Sequence, residues 1–182
     1  MRVVALALPG VCLIEHDVFE DARGAFFESW NERALTAAGI DARFVQENVS
    51  VSRRLVLRGL HYQIPHAQGK LVRVLAGEIF DIVVDLRRSS GAFGRRLEVT
   101  LNATKCRSLW VPAGLAHGFL ALADHTQVQY KVTDFWMPAS ERTLAWNDPA
   151  LGIPWPLPAG TAPILSDKDR CGQLLADAES FP

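Results

Sequence analysis

From Phe44 to Asp134 the chain is a succession of short strand-forming segments and little else. They fall at roughly 43–53, 57–63, 69–75, 78–86, 95–101, 106–111, 117–123 and 126–134, parted by glycine, proline or polar turns. No helical period runs through them, so the fold class is mainly β, an antiparallel sandwich or barrel. In Ile79 to Leu86, for example, Phe80, Ile82, Val84 and Leu86 share one face and Asp81 and Asp85 the other. Upstream, 2–8 and 11–16 read as strands broken by Pro9-Gly10, and Asp21 to Gly24 as a turn followed by aromatic strand formers at 25–30. Asn31 is placed to cap a short helix over Glu32 to Ala38, with Gly39 ending it. From Asn147 the prolines at 149, 154, 156, 158 and 163 predict an extended surface wrap, followed by a short helix near 172–179. Without an internal repeat or an interdomain linker, 1–182 reads as a single domain.

Bulk properties exclude more than they assign. A formal net charge of −1 gives no global attraction for nucleic acid or an anionic membrane, so any polyanion site is local. Cys12, Cys106 and Cys171 are far apart and lack C-x-x-C spacing, which argues against a disulfide framework or zinc site and fits a reducing cytoplasm. Reading Ala5-Leu6-Ala7 as an export cleavage site leaves only Val3 and Val4 as its apolar core, so an opening strand is the better reading. No run approaches the ~18 apolar residues of a membrane span.

Chemistry concentrates in Leu57-Arg58-Gly59-Leu60-His61-Tyr62-Gln63 and Gln68-Gly69-Lys70-Leu71-Val72-Arg73-Val74. Lys70 alternates with Val72 and Val74, which puts an ammonium on an apolar face where it needs a carboxylate or a ligand anion. Arg58 and His61, three apart, reach one pocket only if the strand is irregular, and Gly59 is a natural bulge. Tyr130 shares its face with Val128 and Val132 and points inward, either as a core tyrosine with a satisfied hydroxyl or as a proton donor. His117 follows the turn at Pro112-Ala113-Gly114. Gln46, Asn48, Ser50 and Ser52 line one face of their strand, towards solvent or towards a pocket. Arg23, His16, His66 and His125 read as solvent-exposed.

Four motifs occur in order: Gly59-Leu60-His61-Tyr62-Gln63, Gln68-Gly69-Lys70, Trp110 to Phe119 (WVPAGLAHGF) and Leu165-Ser166-Asp167-Lys168-Asp169. Together they resemble the dTDP-4-dehydrorhamnose 3,5-epimerase family over about residues 10–170. The resemblance implies a cupin jelly-roll barrel with a few short helices, a homodimer, no metal or organic cofactor, and a dTDP-4-keto-6-deoxyhexose substrate. It implies His61 as base, Asp169 as its orienting carboxylate, Lys70 as the cation facing the enolate and Tyr130 as proton donor. It carries over Arg23, Glu28, Gln46, Glu47, Asn48, Arg58, His117, Glu141 and Lys168 as substrate-binding. Where the family stacks a tyrosine on thymine, alignment from Tyr130 through Thr133 gives Trp136, with Phe135 as the neighbouring choice.

Three rival readings frame these expectations. A metal-dependent cupin needs several converging N/O ligands, generally including a His-x-His pair, and here Gln63 stands two after His61. A non-catalytic sugar-nucleotide-binding cupin has no need of His61, Asp169 and Tyr130 together. An epimerase acting at C3 or C5 alone shares every motif.

Overall fold

The computed structural model describes residues 1–182. Its strands are β1 (Arg2–Ala5), β2 (Cys12–Glu15), β3 (Val18–Asp21), β4 (Gly24–Phe27), β5 (Gln46–Ser52), β6 (Leu57–Gln63), β7 (Lys70–Ala76), β8 (Glu78–Asp85), β9 (Arg96–Asn102), β10 (Arg107–Val111), β11 (Leu115–Ala121), β12 (Thr126–Val132) and β13 (Glu141–Thr143). Two short α-helices, α1 (Glu32–Ala37) and α2 (Asp167–Arg170), and a 3-10 turn over Pro138–Ser140 complete it.

A six-stranded sheet in the order β1-β2-β10-β7-β12-β5 faces a five-stranded sheet in the order β13-β6-β11-β8-β9, all pairings antiparallel. This is the double-sheet cupin architecture. Val72, Val74, Leu109, Val111 and Val128 of one sheet meet Ile79, Val83, Leu101, Leu115 and Phe119 of the other in a core removed from water. The same inward faces carry Lys70, Asp81, His117 and Tyr130, and there the interior opens into a cavity.

The Pro-rich C-terminal region lies over the outer face of the five-stranded sheet. Leu151, Trp155, Leu175, Ala178 and Phe181 cover Tyr62, Ile82, Val84 and Leu86, and the Tyr62 hydroxyl donates to the Glu179 carbonyl at 2.7 Å. Both faces of β8 are therefore buried, and its aspartate face is the inward one. Asp85 is satisfied there by Arg87 and Ser90.

On the other side α1, capped by Asn31 as expected, packs Leu35 against Ile14, Leu71 and Trp110. The β3–β4 hairpin forms a separate two-stranded sheet. Its Phe27 packs on the body of the fold, under the Arg73 guanidinium and beside His16, while Phe19 and Phe26 stand 65% and 73% exposed.

Two local expectations are corrected. Residues 172–179 are not a helix: Gln173 bridges Leu144 in extended backbone, and Gly172 runs so close to Ala145 that a Cβ would approach it to 2.7 Å. The helix lies earlier, at α2, with Ser166 accepting from the Asp169 N–H as its cap. His16 is not solvent-exposed, since its Nε2 meets Ser108 Oγ at 2.9 Å and its Nδ1 is buried. No helix is long and apolar enough to cross a membrane.

Candidate active site

The site begins with a fault in β6. Against β11, His61 pairs with His117 but Arg58 pairs with Phe119, so the register shifts by one residue between them. Gly59 permits this: its φ is +132°, and a Cβ on it would stand 2.5 Å from Gly118 Cα. The bulge turns Arg58 and His61 into the same cavity, which meets the condition their spacing set.

His61 Nε2 donates to Asp169 Oδ1 at 2.6 Å. Asp169 also accepts from Ser166 Oγ at 2.6 Å and from the Gly59 N–H at 3.3 Å, so α2 and the bulge lock one carboxylate onto one imidazole. Burial opposes ionisation of Asp169, but hydrogen bonds from His61 and Ser166 outweigh it and hold the carboxyl below its usual range. Burial lowers the His61 pKa, against the pull of Asp169. A neutral imidazole whose Nε2–H is donated keeps its basic lone pair on Nδ1.

Three further groups close round the pair. Lys70 is buried, donates from Nζ to the His61 carbonyl at 3.1 Å, and is lowered by desolvation to about 8. His117 Nε2 lies 2.9 and 3.1 Å from the two oxygens of Asp81, itself fully buried. Burial raises the Tyr130 phenol above its ordinary value, which keeps it a donor. The cavity holds about 380 Å³ and is lined mainly by polar and charged residues, with Tyr62, Phe119, Tyr130 and Trp136 among them. A base, a cation and a phenol thus surround a space of sugar dimensions. That arrangement suits proton removal from a carbon acid whose conjugate base is an oxyanion. No cluster of three or more His, Cys, Asp or Glu side chains is arranged to hold a metal ion.

The family model of dTDP-4-dehydrorhamnose 3,5-epimerase matches residues 5–177. The chain belongs to that family. A curated dTDP-4-dehydrorhamnose 3,5-epimerase of Pseudomonas aeruginosa is 54% identical across the whole of both chains. The crystal structure of a 3,5-epimerase from Legionella pneumophila in complex with dTDP-4-keto-L-rhamnose superposes with a TM-score of 0.92 at 42% identity, covering 98% of this chain and 94% of that one. A 3'-monoepimerase from Streptomyces bikiniensis in complex with dTDP-quinovose gives a TM-score of 0.87 at 36% identity, covering 94% and 86%.

Within this epimerase-family fold, most residues marked in the sequence converge. Gln46, Asn48, Arg58 and His117 line the cavity, with Trp136, Glu141 and Lys168 towards its rim. Glu141 and Lys168 form an ion pair at 2.7 Å there. Trp136 lines the cavity and Phe135 does not.

Three do not converge. Glu47 lies between the inward Gln46 and Asn48, so the strand's period of two turns it to the outer face, where it pairs with Lys131 and Gln129. Arg23 sits in the hairpin turn, paired with Asp21, and Glu28 just beyond the hairpin accepts from Asn31; neither lines the cavity. The sequence reading also passed over Asp81 and Ser166, the partners that fix His117 and Asp169. A carboxylate on the same strand face as Val83 was the available signal for Asp81. Ser166 was legible as an N-cap.

Proposed function

We propose that this chain epimerises dTDP-4-dehydro-6-deoxy-D-glucose at C3 and C5, giving dTDP-4-dehydro-L-rhamnose. The observation that carries this is the His61–Asp169 pair, set in a sugar-sized cavity with Lys70 and Tyr130, in a chain 54% identical to a 3,5-epimerase. The 4-keto group acidifies the C–H bonds at C3 and C5. His61 Nδ1 takes the proton, and the imidazolium formed is offset by the Asp169 carboxylate. Charge moves to the sugar O4, where the Lys70 ammonium stabilises the enolate in a site already shielded from water. Tyr130 then returns a proton from the opposite face, inverting the carbon; solvent reprotonates the phenolate and takes the abstracted proton from the His61 imidazolium. Arg58 and Lys168 suit the diphosphate as charge-assisted donors, and Trp136 the thymine ring.

The catalytic unit is the whole of 1–182, acting as a cytoplasmic homodimer. Arg23 and Glu28 lie on or beside a hairpin whose Phe19 and Phe26 have no cover in their own protomer. A second copy receiving that hairpin brings both residues to its cavity.

The deciding experiment incubates the enzyme with dTDP-4-keto-6-deoxyglucose in D₂O, with His61→Asn as control, and locates deuterium by NMR. Label at both C3 and C5, absent in the control, is the expected result. Label at one carbon moves the chain to the activity of the monoepimerase it also resembles. No label beyond the control removes this substrate.

A further inference from the structure

Four consecutive backbone positions at the cavity rim are each held by a glutamine side chain. Gln68 Nε2 donates to the Asp134 carbonyl at 2.8 Å. Gln63 Nε2 donates to the Phe135 carbonyl at 3.2 Å and to the His66 carbonyl at 2.7 Å, and its Oε1 accepts from the Met137 N–H at 2.9 Å. Gln46 Oε1 accepts from the Trp136 N–H at 3.0 Å. Gln63, only 3% exposed, thus grips the chain on both sides of Trp136 while Gln46 grips Trp136 itself.

We infer that Gln63, Gln46 and Gln68 are positioning residues that fix the indole of Trp136 as a platform for the nucleobase. Trp136 itself is 53% exposed, so packing does little to orient it. A segment without regular structure samples many conformations unless its polar groups are tied, and an immobilised aromatic binds a base without a further ordering cost. Only a primary amide supplies what Gln63 supplies here: two N–H donors for two carbonyls and an acceptor for an N–H. Gln46 is accordingly occupied with protein groups at both ends, since its Nε2 donates to Asn48 Oδ1 at 2.9 Å. It acts on the ligand through Trp136 and Asn48. This rests on the reading of the cavity as a dTDP-sugar site with Trp136 at its base end, and adds what holds that ring in place.

The test is a double-mutant cycle on dTDP binding, measured by calorimetry, with inorganic pyrophosphate as a probe that lacks the base. Gln63→Leu and Trp136→Ala are each expected to weaken dTDP binding about tenfold, which corresponds to about 1.4 kcal/mol. The double variant is expected to bind within about twofold of Trp136→Ala, because residues acting through one another are not additive. Pyrophosphate affinity should not change. Additive losses, or an equal loss for pyrophosphate, overturn the inference. Gln68→Ala, at a half-buried position with a single bond to the segment, gives the same cycle should Gln63→Leu fail to fold. Absence of dTDP binding by the unaltered protein would instead overturn the sugar-nucleotide reading itself.

Discussion

The ammonium of Lys70 is hydrogen-bonded to the carbonyl oxygen of His61, 3.1 Å away. The cation proposed to receive the enolate charge is therefore tied to the main chain of the residue proposed to create it. Two strands from opposite sheets, β7 and β6, are brought to one reacting centre by that bond. Neither group is free to drift as charge moves from carbon to oxygen.

This geometry fixes the shape of the pH profile. Burial lowers the His61 pKa, so the acid limb of kcat/KM should fall below the ordinary histidine value of about 6.5. Lys70, lowered to about 8, loses its charge as pH rises through that value and sets the alkaline limb, because the Tyr130 phenol is shifted upward. The Glu141 carboxylate favours the charged form of Lys70, so Glu141→Gln should move the alkaline limb to lower pH. A limb that stays in place would show that another group sets it.

Gly59 and Gly118 approach each other more closely than any Cβ allows. Gly59→Ala combines that overlap with a positive φ, and we expect a loss of roughly 2–4 kcal/mol or failure to fold, in the range of overpacking plus backbone strain. Urea unfolding measures it. A variant within about 0.5 kcal/mol of the parent, the scale of ordinary surface changes, would mean the bulge relaxes freely.

Gly59 also shows how much of this site the sequence held. Period-two reasoning placed Lys70 and Tyr130 inward, and the three-residue spacing of Arg58 and His61 demanded a bulge where the glycine stood; both are local inferences and both hold. The strand path through 43–134 followed from the same alternation and turn chemistry. Most of what failed was non-local. The helix near 172–179 lost to the packing of Leu175 and Ala178 on a sheet about 90 residues earlier, a contact no local pattern encodes. Glu47 was carried over with its neighbours although consecutive strand residues point to opposite sides. Asp81 stayed hidden because its partner, His117, lies 36 residues away on another strand.

That buried pair gives its own prediction. Asp81→Asn keeps an oxygen to accept from His117 but removes the charge, and Asp81 also favours the protonated form of Lys70. Asp81→Asn should then fold, bind dTDP normally and shift the alkaline limb of kcat/KM downward. Asp81→Leu leaves the buried imidazole without a partner and should cost about 1–3 kcal/mol of stability by urea unfolding. If both variants match the parent in pH profile and stability, His117 is oriented by something else.

The hairpin is where the proposed dimer is most directly tested. Phe19 and Phe26 are cross-strand partners on its outer side, while Phe27 faces the protomer beneath Arg73. Covering two such rings is worth roughly 1.5–3 kcal/mol each, enough to matter to association. Phe26→Asp removes the ring and places a carboxylate in the contact while leaving the Phe27 anchor in place. Sedimentation should show the parent as a dimer and the variant shifted to monomer, with KM for the dTDP-sugar raised because Arg23 no longer reaches a neighbouring cavity. A parent that sediments as a monomer at full activity would overturn the arrangement. Arg23 and Glu28 would then have to act from their own protomer or not at all.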